Sequence, residues 1–377
     1  MYTKIASWSS GVLRARGLFI SEEKMEQKEY KTYRQLLSKL RSRGMVITKG
    51  SQGSRAMRIL EQENYYNVIN GYKSLFLEHE ATDTVDEKYK EGTTFDEVYA
   101  LYCFDRQVRN IYLKYLLKLE NSLKTVISHE FSSAYGHDNY LRLTNFQSTA
   151  STDAGELNYI ARKNGLRLPG DLKRVQQISA EENAEAVTKL IGDIHQEIAR
   201  QMNKHHQVVT HYMTHHGYIP LWVLVNVLTF GKITTFYLNM KANDKTRVAK
   251  SFAVNVKELH KYMTMLGLAR NKCAHDERFY DIRFKQSLHT KGIKNFRALG
   301  ITAQPDGSYT SGTNDAYAIA IIFAVLLAKT DLRDFVSAMK SAFTKLEKQL
   351  STISVEDVKR TMGYHKNWQN LILLKKY

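Results

Sequence analysis

The fold is decided by the stretch "LYCFDRQVRNIYLKYLLKLENSLKTVISHEFSSAYG", residues Leu101 to Gly136. Apolar side chains recur there every three or four residues, the period of one helix face. They are Phe104, Val108, Tyr112, Tyr115, Leu119, Leu123, Val126 and Ile127. No proline lies between Thr94 and Tyr135, so we predict one unbroken helix there, long enough to be the centre of a bundle.

Further helices are predicted on both sides of this one. The chain has only three prolines, which leaves long helices uninterrupted. We predict helices over about 28–43 with Gly44 ending the first, from about Ser54, over 171–206, after Pro220, over 256–275, over 314–349 and after Val355, and a loop over 137–170. The sequence therefore predicts an all-α fold.

We divide the chain into two parts on this pattern. A basic N-terminal helical region covers residues 1–92, and a larger helical domain covers 93–377. The larger domain carries an insertion at about 150–210 and a basic connection at 281–314. Within the insertion, residues 171–206 form a charged helical segment, which we interpret as an insertion or an arm on the surface.

The net charge points to a polyanionic partner. The chain has 55 Lys and Arg against 38 Asp and Glu, a net charge of +17, which argues against an enzyme acting on a neutral metabolite. Residues 1–60 hold 13 basic and four acidic side chains, and residues 283–300 hold five basic and none acidic. Candidate contacts to RNA phosphates are Lys39, Arg41, Arg43, Lys291 and Lys294. Solvated basic helix faces remain the simpler alternative.

Other sequence features favour a cytoplasmic protein that does not enter a membrane. Cys103 and Cys273 are the only cysteines, too few for a secreted disulfide framework. The N-terminal residues lack the apolar core of a signal peptide. The longest apolar run, Ala316–Ala328, has 13 residues, whereas a membrane span needs about 20.

The segment "LARNKCAHDERFYD", Leu268 to Asp281, carries the candidate chemistry. It sets Arg270, Asn271 and His275 together at a helix end. An arginine neutralises a phosphate, a histidine transfers protons near neutral pH, and an asparagine orients either group. These three residues are the predicted catalytic residues for cutting an RNA backbone without a metal or another cofactor.

The spacing of Arg270 and His275 is not specific by itself. With 21 Arg and 13 His in 377 residues, chance alone gives about 0.7 Arg-x4-His pairs. Three occur, at Arg200 and His205, Arg270 and His275, and Arg360 and His365. Only the second follows an apolar run, "YMTMLGLA", that would bury its helix and hold the side chains in place.

Several segments in order along the chain resemble the Abi family of bacterial abortive-infection proteins, whose core is a HEPN domain. They are Tyr33–Ile47, Tyr65–Phe76, Leu101–Gly136, Pro220–Tyr237 and "ARNKCAH", Ala269–His275. The resemblance implies a HEPN-like helical bundle with additional N-terminal helices and a helical insertion. Active HEPN members are metal-independent RNases with an Arg-x4-6-His motif, so the resemblance implies an endoribonuclease of anti-phage defence that leaves 2′,3′-cyclic phosphate ends.

The resemblance also assigns roles to residues and partners. Arg270, Asn271 and His275 match the motif, and Glu120 is implied as a supporting polar residue. Family sequences often carry a second His or a Gly after the motif histidine, where this chain has Asp276. Paired active sites imply a homodimer. An unselective RNase needs restraint, so we also expect an antitoxin, either a protein or an RNA.

Helix geometry limits how this motif can work. At 100° per residue, Asn271 and His275 lie within roughly 40° of one another, whereas Arg270 and His275 are roughly 140° apart. Either the helix ends near His275, or two copies face each other across a two-fold axis. Two alternatives remain open: a non-catalytic RNA-binding module of the same fold, and a purely structural role for the pair at a helix C-terminus.

Two other clusters have simpler interpretations. The aromatic patch Tyr65, Tyr66, Tyr72, Leu75 and Phe76 favours core packing over stacking on nucleobases. The histidines at 205, 206, 211, 215 and 216 have no neighbouring HExxH pattern or cysteine, so we predict a structural or surface role rather than a metal site.

Overall fold

The computed structural model describes residues 29–82, 84–293, 295–305 and 308–374. The α-helices in this part are α1 Tyr33–Ser42, α2 Ser51–Gln62, α3 Phe95–Tyr135, α4 Ala154–Lys163, α5 Leu172–Asn203, α6 Gln207–His216, α7 Leu221–Leu224, α8 Phe230–Asn239, α9 Ala242–Ser251, α10 Val256–Ala274, α11 Ala316–Leu326, α12 Lys329–Glu347 and α13 Val355–Thr361. Two short antiparallel strands, β1 Leu77–His79 and β2 Lys88–Tyr89, accompany them. The prediction of an all-α fold is confirmed.

Helix α3 is the central element, as its apolar period predicts. Thr94 caps its first turn, where the Thr94 hydroxyl accepts a hydrogen bond from the backbone N–H of Glu97. The helix continues for 41 residues to Tyr135, and Gly136 follows with a φ of +86°. Helices α7, α9, α10 and α12 pack against it. One helix therefore supports most of the bundle.

Aromatic rings lock α3 to the C-terminal helices. The Tyr112 ring lies 4.8 Å from Phe279, 5.6 Å from Phe323 and 5.2 Å from Phe335, measured between ring centroids. All four side chains are buried. Contacts of this kind fix the segment after α10, which contains Phe279, relative to α3.

Two helix predictions and one loop prediction were wrong in their boundaries. The helix predicted after Pro220 is divided into α7 and α8, because Thr229 caps a new helix with its hydroxyl. The helix predicted over 314–349 is divided into α11 and α12, since Leu327 and Ala328 adopt extended backbone between them. The predicted loop over 137–170 contains α4, which starts where the Asp153 carboxylate accepts a hydrogen bond from Glu156 N–H.

Helix α5 is present where the charged helix was predicted, but only part of it lies apart from the main core. Its first half packs on α4 in a small separate cluster formed by Leu157, Ile160, Ala161 and Val175. Its second half buries Val187, Leu190, Ile194 and Ile198 in the main core. The interpretation of this segment as a surface arm is therefore wrong for its second half.

No helix among the described residues combines the length and the apolar character needed to cross a membrane. Most of the apolar run Ala316–Ala328 forms α11, which ends at Leu326 and whose residues are almost all buried inside the bundle.

Candidate functional site

Helix α10 carries the Arg270 motif and is anchored along its length. A capping box begins it, in which Asn255 Oδ1 accepts a 2.8 Å hydrogen bond from Glu258 N–H. One face is buried against α3 and α8 through Leu259, Tyr262, Met263, Leu266, Ala269 and Cys273. Burial raises the pKa of the Cys273 thiol, so this cysteine is not a thiolate nucleophile at neutral pH.

Helix α10 ends at the motif histidine, His275. His275 is the C-terminal cap, with φ −99° and ψ 16°, and its N–H donates a 3.0 Å hydrogen bond to the Asn271 carbonyl. Asp276 then adopts a left-handed conformation with φ +56°, which Asp tolerates better than most residues. The His275 side chain is exposed. Either of two arrangements would bring the motif side chains together, and an end of the helix near His275 is one of them.

Arg270 faces α3, where it contacts the predicted supporting residue Glu120. Arg270 Nε lies 3.3 Å from Glu120 Oε2, and Lys124 Nζ lies 2.9 Å from Glu120 Oε1. Glu120 is buried, whereas the Arg270 side chain stays 33 % exposed. The carboxylate therefore orients the guanidinium while leaving part of it open to a ligand.

A buried ion pair on α3 holds the residues that follow His275. Arg109 Nη1 donates a 2.7 Å hydrogen bond to Asp105 Oδ2, and the same guanidinium contacts Asp276 Oδ1 and the Glu277 carbonyl. Arg109 is only 2 % exposed. The left-handed turn after His275 is thus fixed by a charged side chain from another helix.

The carboxylate of Asp105 is the centre of this network. It also accepts hydrogen bonds from the Tyr72 hydroxyl at 2.7 Å and from Phe279 N–H at 3.1 Å. Burial raises the pKa of Asp105, and the neighbouring Arg109 and Tyr72 act against that rise. Sequence reasoning missed this network. Its signal was the pair of opposite charges four residues apart on an apolar face of α3.

His275 lines an open groove of about 640 Å³. Its walls are formed by Tyr66, Asn67, Asn70, Gly71, Tyr72, Tyr102, Lys272, His275, Asp276, Glu277, Arg278, Asp281, Ile282 and Arg283. Arg270 and Asn271 do not line this groove. A single chain therefore does not bring Arg270 and His275 together there. The side chain of Asn271 is exposed and makes no hydrogen bond to a described residue.

One predicted RNA-binding residue, Arg43, is engaged in ion pairs. Its guanidinium lies 2.6 Å from Asp86 Oδ1 and also contacts Glu87. Lys73 contacts the same Glu87. The Arg43 side chain is mostly covered, so its charge is largely balanced within the protein.

The other predicted RNA-binding residues differ in their surroundings. Arg41 Nε donates a 2.8 Å hydrogen bond to the Ile47 carbonyl, and Lys39 is half-buried on α1. Lys291 belongs to the 3₁₀ turn Thr290–Gly292. Lys294 and residues 1–28 lie outside the described residues. Contact of these residues with RNA stays a prediction.

The histidine cluster lies around α6. The rings of His211 and His215 are 4.4 Å apart between centroids, and His206 caps the helix start. Within the described ranges, no three His, Cys, Asp or Glu side chains come together in a group that would hold a metal ion.

Comparison with known proteins identifies a family. The family model described as Abi-like protein matches residues 58–281, more than half of the 377-residue chain. The matched region includes α3 and α10 and ends just after the Arg109 network. A search of curated proteins and a search of solved structures return no match. The chain belongs to the family of Abi-like proteins.

Proposed function

We propose that this protein is a metal-independent endoribonuclease of abortive-infection defence, with a HEPN-type active site formed by Arg270, Asn271 and His275. Membership of the Abi-like family suggests the defence role. The observation that carries the catalytic proposal is the end of α10. There, His275 is exposed beside an open groove, and buried Arg109 holds the next residue, Asp276.

The proposed reaction uses the nucleophile that RNA itself supplies, its 2′-hydroxyl. His275 removes the 2′-OH proton or protonates the leaving 5′-oxygen. The partly exposed Arg270 guanidinium stabilises the negative charge that develops on the phosphorane, and Asn271 orients His275 or the phosphate. The 2′-oxygen–phosphorus bond forms as the phosphorus–5′-oxygen bond breaks. The products carry a 2′,3′-cyclic phosphate and a 5′-hydroxyl.

The active site is proposed to form between two copies of the chain. Arg270 contacts Glu120 on α3 while His275 lines the groove, so the groove of one copy contains His275 without Arg270. Exposed Leu117 and Leu268 lie within one helical turn of Glu120 and Arg270, respectively. Apolar side chains around a charged residue are typical of the surface that a two-fold interface buries. In such a dimer, Arg270 of one copy and His275 of the other complete each site.

The test is a cleavage assay on mixed-sequence RNA with EDTA present, in which product ends are read. We expect wild type to give cyclic-phosphate ends, and Arg270→Ala and His275→Ala each to lose at least about a hundredfold in rate. Arg200→Ala and His205→Ala provide matched controls, because they alter an Arg-x4-His pair outside the site and should cleave like wild type.

Mixing the two inactive variants tests the shared site. A heterodimer of Arg270→Ala and His275→Ala has one site with both residues, so random pairing should restore about one quarter of the wild-type rate. No recovery on mixing, with dimers seen by sedimentation, would contradict the shared site. If no form cleaves but all bind RNA, the protein is instead an RNA-binding module, the function that the separation of Arg270 from the groove favours next.

A further inference from the structure

We propose that the groove beside His275 is a nucleobase-binding subsite, in which the ring of Tyr66 stacks on a base of single-stranded RNA. This inference rests on the proposed function, because it assigns the substrate region next to the reacting phosphate. The groove has a volume of about 640 Å³. That value falls within the range of roughly 300–1,000 Å³ that is typical of ligand sites.

Tyr66 has the exposure expected of a stacking platform. Its side chain is 68 % exposed, whereas Tyr72 and Phe76 from the same aromatic patch are buried. Core packing, the favoured interpretation of that patch, is therefore confirmed for Tyr72 and Phe76 and wrong for Tyr66. Among the described residues, no other aromatic ring packs on Tyr66. An exposed ring in a groove offers a face to a base at little desolvation cost.

Hydrogen bonds hold the backbone around Tyr66 in place relative to the motif. Tyr66 starts a short π-helix, Tyr66–Asn70, and its N–H donates a 2.8 Å hydrogen bond to Asn64 Oδ1. Arg278 Nη1 donates a 2.7 Å hydrogen bond to the Gly71 carbonyl at the end of this helix. A Cβ atom at Gly71 would lie 2.5 Å from the Asn67 carbonyl oxygen, so this tight approach requires glycine.

Amide groups give the groove the means to recognise a base edge. Asn67 and Asn70 line the groove from the same π-helix as Tyr66. Within the part of the chain that the structure describes, neither side-chain amide takes part in a hydrogen bond. An amide presents one acceptor and two donors, which match the mixed donor and acceptor pattern of nucleobase edges.

The charges of the groove favour a base over a bare phosphate chain. Lys272 contacts Glu277, and Arg278 Nε lies 2.8 Å from Asp281 Oδ1, so two of the cations are neutralised inside the groove. Arg283 is exposed, its guanidinium donates to the Ile282 and Thr361 carbonyls, and it makes no ion pair within 4 Å among the described residues, so its charge can attract an adjoining phosphate. This balance suits one neutral base with its backbone, whereas a phosphate-tracking channel would be strongly positive.

The experiment measures affinity rather than cleavage. A short 2′-O-methyl oligoadenylate, which lacks the reactive hydroxyl, is compared with the same backbone without bases, by fluorescence anisotropy with the full chain. We expect Tyr66→Ala to weaken binding of the base-bearing oligomer on the order of tenfold and to leave the abasic oligomer unchanged. Tyr159→Ala is the matched control, since Tyr159 on α4 is 64 % exposed and outside the groove.

Three results would overturn the subsite. In the first, Tyr66→Ala and wild type bind the base-bearing oligomer with equal affinity. In the second, Tyr66→Ala loses affinity equally for the base-bearing and the abasic oligomer. In the third, wild type binds neither oligomer. Thermal unfolding of Tyr66→Ala checks that the exposed substitution leaves the fold intact.

The subsite and the proposed function can fail separately. Binding that depends on Tyr66, together with no cleavage of ordinary RNA, would support the subsite and contradict the proposed RNase activity. Cleavage that depends on His275 but has no base-dependent effect of Tyr66→Ala would retain the RNase and remove the subsite.

Discussion

The Arg-x4-His pairs at the C-terminal ends of α5 and α10 have different surroundings. Arg200 and His205 lie at the end of α5, and Arg270 and His275 lie at the end of α10. The Arg200 guanidinium contacts Glu197, three residues earlier in its own helix. Arg270 contacts Glu120, 150 residues away on the central helix. Equal spacing in sequence thus leads to a local contact in one pair and a long-range contact in the other.

The histidines of the two pairs differ in the same way. His205 itself adopts the left-handed conformation, φ +52°, and its N–H bonds only to Met202 nearby. Next to His275, the left-handed residue is Asp276, and buried Arg109 holds it from α3. Long-range anchors fix a side chain relative to the rest of the fold, which a reacting group needs and a surface group does not.

The largest effect is expected on stability, from removing Arg109, which holds Asp276 directly after His275. Arg109→Met leaves the buried Asp105 carboxylate without its cation, so we expect a loss of about 3–5 kcal/mol in the free energy of unfolding. Arg200→Met removes a half-exposed arginine from the buried carboxylate of Glu197, which keeps its contact with Lys232 and its hydrogen bond from Gln201, so we expect a much smaller loss in the free energy of unfolding than for Arg109→Met. Urea denaturation of both variants measures the difference. Equal stability of Arg109→Met and Arg200→Met would contradict the expected difference between a buried and a half-exposed arginine.

A smaller effect is expected at the start of α3, where Glu97 combines a local cap with long-range bonds. Its carboxylate accepts hydrogen bonds from Ser351 N–H at 2.6 Å and from Thr352 N–H at 2.7 Å. Burial by itself raises the pKa of Glu97, but these hydrogen bonds outweigh it, and the pKa lies below the ordinary value of 4.5. Glu97→Gln should cost about 2 kcal/mol of unfolding free energy near pH 7.

This loss should depend on pH in a defined direction. A carboxylate whose pKa is lower in the folded than in the unfolded protein stabilises the fold above the unfolded pKa. Its contribution then falls as the pH drops from about 4.5 through the lower folded pKa. Wild type and Glu97→Gln should therefore converge in acid. Glu258→Gln is the control, because Glu258 caps α10 and its hydrogen bonds to described residues are all with nearby Asn255. A difference in unfolding free energy between wild type and Glu97→Gln that persists in acid would show that the Glu97 carboxylate is not its source.

The same division between local and long-range information explains which parts of the fold were predictable. Helices α3 and α10 were located almost to the residue, because local capping residues and an apolar period define them. The start of α4 had an equally local signal in Asp153 and was overlooked. The break between α11 and α12 has no such signal, because Leu327 and Ala328 adopt extended backbone there and no side chain caps the start of α12.

The candidate site divides in the same manner. The residues Arg270, Asn271 and His275 are close in sequence, so spacing and family resemblance find them. The contact between Arg109 and Asp276 joins residues 167 positions apart, and no local pattern predicts it. The exposure of Tyr66 also follows from tertiary packing, since Tyr65 beside it is partly buried and Tyr72 and Phe76 of the same aromatic patch are fully buried. Sequence therefore indicated the proposed reacting groups, whereas the structure was needed to find the side chains that contact and hold them.

The smallest effect should come from the carboxylate that orients Arg270. Glu120→Gln keeps the shape of the side chain but removes the charge that pairs with the guanidinium, so Arg270 samples more orientations. We expect kcat/KM for RNA cleavage to fall about tenfold, with the fold unchanged by circular dichroism. Glu197→Gln is the matched control, because Glu197 contacts Arg200 of the Arg-x4-His pair at the end of α5. We expect this variant to cleave like wild type. An unchanged kcat/KM for Glu120→Gln would remove Glu120 from the positioning of Arg270.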